Sequence, residues 1–414
     1  MRLLRCWLPP RAQTAAALGL GLLLGWALAA PAVLWHGRLW AEEGSDFLPY
    51  ALAHRPWGGL LFAHKQHLDL LPNLAASLAA QGWGQPGHWF VALALLPYGL
   101  LVAAAARLLT AVPLLVCLLV GLVWGLHPCG WEGQLNSINS WSVLAAAYLL
   151  LLAKPPGPRG LFLASLLPAI SFPGLLFLPL ALLRRCWPQV AGLGLGGLVQ
   201  ALIWRWGGNG LGLDGLTDHR SLYLADWGAL PGALLTRAGL QPLLALPLGV
   251  HLPAPLALLL LLGVGWLLQR WSCKGQLEQQ LDRWFVPQWL AWQGLALLFS
   301  LGGAQLLASQ PEGHQRYGVL SVLLVPVLLA RAQAGWWRRW LSPGLSFLQW
   351  PILLLPSLVL ALICWPLVIG LRSVRIARQG PSFDLTCQQW PAQGLDQVCP
   401  RGLRPVSGSP RASP

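Results

Sequence analysis

The sequence predicts an all-α fold, a polytopic bundle of transmembrane helices with about nine to eleven membrane segments. Three observations predict it. Of 414 residues, 56% are hydrophobic and only 10% charged, against roughly 25% charged in a soluble globular chain, so too little polar surface exists to cover a water-facing molecule. Apolar runs near or above ~18 residues, enough to cross a ~30 Å hydrocarbon core as a helix, recur from Thr14 to Gly370. These runs lack the ten-residue alternation of an outer-membrane barrel, and helices satisfy the backbone in lipid without it.

Taken in order, the predicted spans are 14–35, 88–107, 110–127, 140–153, 188–206, 241–269, 285–309, 318–335 and 346–371. Arg2, Arg5 and Arg11 precede the first span, which places the N-terminus in the cytoplasm and the chain in the cytoplasmic (inner) membrane. Ala27-Leu28-Ala29-Ala30 resembles a signal-peptidase site, but the apolar stretch exceeds the ~7–15 residues of a signal core and reads as a retained helix. Arg107, then Lys154 and Arg159, Arg184 and Arg185, Arg270, Lys274 and Arg283, and Arg331, Arg338 and Arg339 all fall on the cytoplasmic side of this drawing. Between basic flanks, residues 160–183 are interrupted by Ser171-Phe172-Pro173-Gly174 and read as two short helices that enter and return. Such broken segments persist at membrane depth where protein or a water-filled cavity covers the backbone.

Residues 1–371 thus form one transmembrane domain with a first outer loop at 36–87 carrying short surface helices. Residues 372–414 form an extracytoplasmic tail, disordered beyond about 400 by its Pro, Ser, Gly and Arg content. The net charge of +14 lies in small clusters between spans rather than a stripe, which argues for topology signals and against a nucleic-acid partner. Of thirteen carboxylates, only Glu278 and Asp282 fall on the cytoplasmic side, so any acid or base chemistry lies outside. Cys387 and Cys399 share the outer tail, where a disulfide is permitted, and Cys129 is the other available partner. Cysteine spacing suggests no zinc site.

Candidate chemistry clusters in the outer loops. Glu42, Glu43 and Asp46 put three carboxylates within five residues directly after the first helix. Partial desolvation and neighbouring like charges suit such a group to general-base work, the alternative being a solvated acidic loop. Next, His64-Lys65-Gln66-His67 offers cations for a phosphate. His64 and His67 with no clear third ligand do not make a metal site. Read as a helix, Gln66, Asp69, Asn73 and Ser77 fall on one face and Leu68, Leu71, Ala75 and Leu78 on the other, which predicts a helix lying along the membrane surface. The second outer loop supplies Glu132, Asn136 and Asn139 for hydroxyl-rich ligands, although Asn139 also suits a helix cap. Later, Arg316-Tyr317 places a guanidinium at the mouth of a span, as an interface anchor or a phosphate partner. The long loop 207–240 carries His219 and Arg220 but no spacing that names a reaction.

Taken together, this order of features resembles the GT-C superfamily of membrane glycosyltransferases, and within it a poorly characterised bacterial group that uses polyprenyl-phosphate sugars. The resemblance spans most of residues 36–330 and rests on Glu42-Glu43-Gly44 with Phe47, Leu70 to Ala76, Asn136 to Trp141, Ser171-Phe172-Pro173-Gly174 and Arg316-Tyr317. Each piece is short, and their order and common side of the membrane carry the match. Glu43 stands where an Asp is more usual, with Asp46 as substitute, and Asn73 stands where many members have Arg, with Lys65 as substitute.

The resemblance implies an inverting transfer outside the membrane, metal-free or assisted by a divalent cation. A first-loop carboxylate, Glu43 with Glu42 or Asp46 assisting, deprotonates the acceptor hydroxyl. Arg316 with Lys65 would meet the leaving phosphate, Glu132, Asn136 and Asn139 the sugar or acceptor, and His67 and Tyr317 belong to the same substrate-binding set. The implied partners are the lipid-linked donor and membrane lipids. Two other classes fit the same topology: a transporter or flippase of lipid-linked glycans, which would place ionisable residues inside spans and show repeats, and an O-antigen ligase or polymerase relying on loop 207–240. A membrane subunit without enzymatic activity is a further reading.

Overall fold

The computed structural model describes residues 9–39, 43–54, 57–64, 67–83, 85–126, 135, 137–138, 157–170, 175, 178–183, 185–206, 253, 255–260, 262–263 and 319–332. Helix predominates among them, and two helices, Pro10–Ala29 (α1) and Pro86–Leu108 (α5), are long and apolar enough to cross a membrane. The predicted spans 140–153, 285–309 and 346–371 lie outside the described residues, as do most of 241–269, the tail and its cysteines.

The first predicted span is broken where it was drawn as continuous. α1 ends at Ala29, Ala30 takes φ −140° and ψ 56°, and a short α2 runs from Pro31 to His36. Pro31 is the cause, because its ring disfavours helical backbone at the preceding residue and it lacks the N–H that would continue the ladder. A π-helical turn, Glu43–Phe47, then leads into α3 (Leu48–Ala53), a 3₁₀ turn (Gly58–Leu61) and a two-residue antiparallel hairpin of β1 (Ala63–His64) and β2 (His67–Leu68). α4 (Leu70–Ala80) follows, then α5, which opens on Pro86 at its first position, where a missing N–H costs nothing.

The helix predicted from Gln66 onward is corrected in two respects. It begins at Leu70, with Asp69 in extended backbone as its N-cap and the preceding residues in the hairpin. Its polar face also points inward. Asn73 and Ser77 are buried while Leu70, Leu71, Leu74 and Leu78 are only partly so, because α4 packs its small residues against α5 and α3 and the polar pair against the 3₁₀ turn. From the predicted apolar face Leu68 and Ala75 are buried as well, so the helix buries part of both faces.

Beyond α5, α6 (Leu114–Leu126) starts after Pro113. Residues 160–183 do resolve into two short helices, α7 (Pro158–Ile170) and α8 (Leu178–Leu183), although Ser171 to Gly174 lie outside the described residues. α8 closes with Arg185 at φ 52°, Cys186 N–H donating to the Ala181 carbonyl and Arg185 N–H to that of Leu182, the paired bonds of a Schellman cap, and α9 (Trp187–Trp206) follows. α10 (Val319–Ala332) contains Pro326, and in the turn that this proline loosens the Leu323 carbonyl accepts the buried Trp124 indole N–H at 2.9 Å, tying α10 to α6.

Two glycine seams bring helix backbones together. On α1, Gly21 and Gly25 face Gly121 and Gly125 of α6, four residues apart on each helix. A methyl on Gly21 would sit 2.1 Å from the Leu118 carbonyl oxygen, and one on Gly121 the same distance from that of Leu18. The α7–α9 contact repeats the device, with Gly192 against the Phe162 carbonyl and Gly196 against Ala169. Small residues at this spacing let backbones approach to van der Waals contact. Outward, α1 presents Leu20, Leu23, Leu24 and Leu28, and α9 presents Leu195 and Leu198, all exposed.

These seams give a direct test. Gly121→Ala should destabilise the fold by about 1–3 kcal/mol through overpacking. Gly19→Ala, whose added methyl meets nothing within 4 Å, should be neutral or stabilise by up to about 1 kcal/mol. Thermal denaturation of the two variants in the same detergent reads the contrast.

Candidate functional site

The site grows from the end of α2. Gly37 takes φ 72°, a left-handed backbone that suits glycine, and a methyl there would lie 2.5 Å from the Gly87 carbonyl carbon and the His88 nitrogen. The chain therefore crosses tightly over the start of α5, where Arg38 N–H donates to the Gly87 carbonyl at 3.3 Å and the His88 ring Nε2 lies 3.0 Å from the Trp35 carbonyl. This crossing buries the Arg38 side chain. Burial pulls the Arg38 guanidinium down to about 10, and the charge of Glu43 offsets part of that loss. Arg38 is still a cation at neutral pH.

Five residues on, Glu43 opens the π-helical turn with its side chain completely buried. Its Oε1 accepts two bonds from Ser137, the backbone N–H at 2.6 Å and the hydroxyl at 2.8 Å. Two residues before Ser137, the buried Leu135 sits at φ 55°, a conformation costing a bulky side chain of order 1–3 kcal/mol. The segment that delivers Ser137 to Glu43 is thus a strained one. The solvated-loop alternative for the acidic residues does not describe Glu43.

Asp46, one turn further, faces the hairpin. Its Oδ2 lies 3.2 Å from His64 Nδ1, with the Asp46 side chain 39% exposed and that of His64 9%. Phe47 and Phe62 flank the pair, Phe47 with its ring 5.0 Å from the His64 ring and 5.3 Å edge-on to Phe62, and Tyr50 stacks on Phe62 at 4.3 Å.

Two side-chain amides hold the hairpin at its ends. Asn73 donates from Nδ2 to the Leu60 carbonyl at 3.1 Å and the Phe62 carbonyl at 2.8 Å, directly ahead of β1. At the other end, Gln200 of α9 treats Leu68 as a strand neighbour would, accepting its N–H and donating to its carbonyl, each at 2.8 Å, while its Nε2 also donates to the Ile170 carbonyl closing α7. Gln200 is itself buried.

Of the site residues predicted from sequence, Glu43 and Asp46 are brought together on one turn, and the His67 backbone pairs with that of His64 across the hairpin. Glu42, Lys65, Glu132, Asn136, Asn139, Arg316 and Tyr317 lie outside the described residues. Sequence reasoning missed Arg38, Ser137, Gln200 and the pairing of His64 with Asp46. Arg38 carried one legible signal, a cation on the side of the drawn topology that holds the acids. Among the described residues no group of three or more His, Cys, Asp or Glu is placed to hold a metal ion. No protein-family model, no characterised protein and no solved structure matches the chain.

The Arg38–Glu43 charge relation sets the energetics. Arg38→Met should lower stability by removing the charge that acts on the buried Glu43, and adding Glu43→Leu should recover part of that loss. A thermal-melt cycle over the two single variants and the double variant measures the coupling; additive losses would show that the two charges do not interact.

Proposed function

We propose that this chain is a multi-pass membrane glycosyltransferase that moves a sugar from a polyprenyl-phosphate donor to an acceptor hydroxyl on the extracytoplasmic side, with inversion and with Glu43 as general base. The observation that carries the reading is a fully buried carboxylate, held by Ser137 and set near a buried cation, in the first turn of structure after an apolar helix and its short extension. An ionisable group so close to membrane depth is costly, and function is the usual reason it is kept. Support for the membrane setting comes from helices whose outward faces are leucine, since a helix apolar on all sides is buried in protein or lipid. The order of motifs shared with GT-C enzymes supports the reaction class. On this reading the chain is a bundle of nine to eleven or so segments in the cytoplasmic membrane, N-terminus inside and tail outside.

In the proposed reaction Glu43 takes the acceptor proton as the hydroxyl oxygen attacks the anomeric carbon from the face opposite the phosphate. A base must come within ~3 Å of that hydroxyl and cations must meet the departing phosphate. Arg316 and Lys65 are the proposed phosphate partners, with no cofactor assigned.

The test offers radiolabelled polyprenyl-phosphate hexoses and a mixed glycolipid acceptor pool to purified protein in lipid. Wild type should transfer label and Glu43→Gln should lose at least ~10²-fold while still melting cooperatively as a folded protein. Full activity in Glu43→Gln removes Glu43 as base, and no transfer by folded wild type across the donor panel rejects the enzyme class.

A further inference from the structure

Resting on the reading of the site as a sugar-transfer centre, we propose that His64, oriented by Asp46, is the general acid that protonates the departing phosphate, opposite in role to Glu43 on the same loop. The geometry makes two titratable groups of opposite character. Glu43 is enclosed among donors, two from Ser137, with the Arg38 charge acting beside it. His64 instead faces a carboxylate, Asp46 Oδ2 at 3.2 Å from Nδ1. A carboxylate at Nδ1 fixes a proton on that nitrogen and stabilises the imidazolium, which makes Nε2–H the donor. One group thus faces hydrogen-bond donors and the other a carboxylate, and a transfer reaction needs two such differing partners, one for the attacking hydroxyl and one for the leaving oxygen.

The surroundings hold this arrangement in place. His64 lies on β1, whose approach is fixed by Asn73 through Phe62 and whose partner strand is fixed by Gln200 through Leu68. The ring is packed by Phe47 and Phe62 at 5.0 and 6.1 Å. Asp46, the more exposed member, gives the pair its contact with water for reprotonation.

The protons balance. The acceptor hydroxyl gives its proton to Glu43 while its oxygen bonds the anomeric carbon. The bond from that carbon to the phosphate oxygen breaks, its electron pair stays on the phosphate, and this oxygen takes the Nε2 proton of His64. Water then removes one proton from Glu43 and returns one to His64, so the products are the glycoside and the polyprenyl phosphate. Asp46 acts as a positioning residue, through His64.

A leaving-group comparison tests this. His64→Gln and Asp46→Asn are assayed beside wild type and Glu43→Gln with the polyprenyl-phosphate donor and with the glycosyl fluoride of the same sugar and anomeric configuration, whose departure needs no proton. General-acid loss predicts that His64→Gln falls by ~10²-fold on the lipid donor and stays within about threefold of wild type on the fluoride. Asp46→Asn should follow the same pattern more weakly, and Glu43→Gln should fail on both. Activity on the fluoride also shows that the variant is folded. Should His64→Gln not fold, the partly exposed Asp46→Asn carries the comparison alone. Equal loss on the two donors, or no loss on either, overturns the assignment while leaving the transfer reaction standing; no transfer by wild type overturns both.

Discussion

Backbone contact between α1 and α6 is the constraint on which the described architecture depends. With no side chain at Gly21, Gly25, Gly121 or Gly125, the two helices meet main chain to main chain. Close approach of this kind gains dispersion contacts along the whole seam and leaves few ways for the helices to slide or rotate. Since α1 leads through α2 to Gly37 and Arg38, the seam fixes where the acidic turn begins. The aromatic edge contact of Trp26 with Tyr98, at 4.9 Å, sets α5 on the same frame. Arg38 then lies where α2 crosses the start of α5 and Glu43 on the turn that follows, where the cost of burial is offset in part by the charge between them and by the donors of Ser137.

Side chains take over the work of main chain where the described structure leaves regular helices. Gln200 completes the hydrogen bonding of Leu68 at both its N–H and its carbonyl, and Asn73 satisfies two carbonyls of the irregular stretch before β1. A short hairpin of two residues a side has too few ladder bonds to stand alone. Amide side chains from α4 and α9 supply the missing partners, so the irregular loop is positioned by the helices around it rather than by its own secondary structure.

How far this was legible in the sequence follows from the range of each interaction. The apolar periodicity and turn residues placed α5 at 86–108 against a predicted 88–107 and α9 at 187–206 against 188–206, because helix bounds are local properties. The break at Ala30 was equally local, written in Pro31, and was passed over because hydropathy averages across a proline. For α4 the pattern showed which residues share a face but not which face meets the core. Direction depends on what lies opposite, here α3 and the 3₁₀ turn, and no window of sequence contains that. The acidic turn itself was recognisable from composition, whereas Ser137 and Gln200 lie 94 and 132 residues from the groups they bond and could be found only in three dimensions. The glycine spacing on α1 and α6 was in plain view, but pairing one with the other needed the fold.

Those same separations impose an order on biosynthesis. Ribosomes add about 5–20 residues per second, so the 132 residues between Leu68 and Gln200 take roughly 7–26 s to appear. Throughout that interval the nascent hairpin has no Gln200 to close it, and the Glu43 turn waits a shorter time for Ser137. The chain therefore passes through a stage in which α1 and α6 have both been made while the polar loop beside them still lacks its α9 partner and is open to quality-control proteases and chaperones.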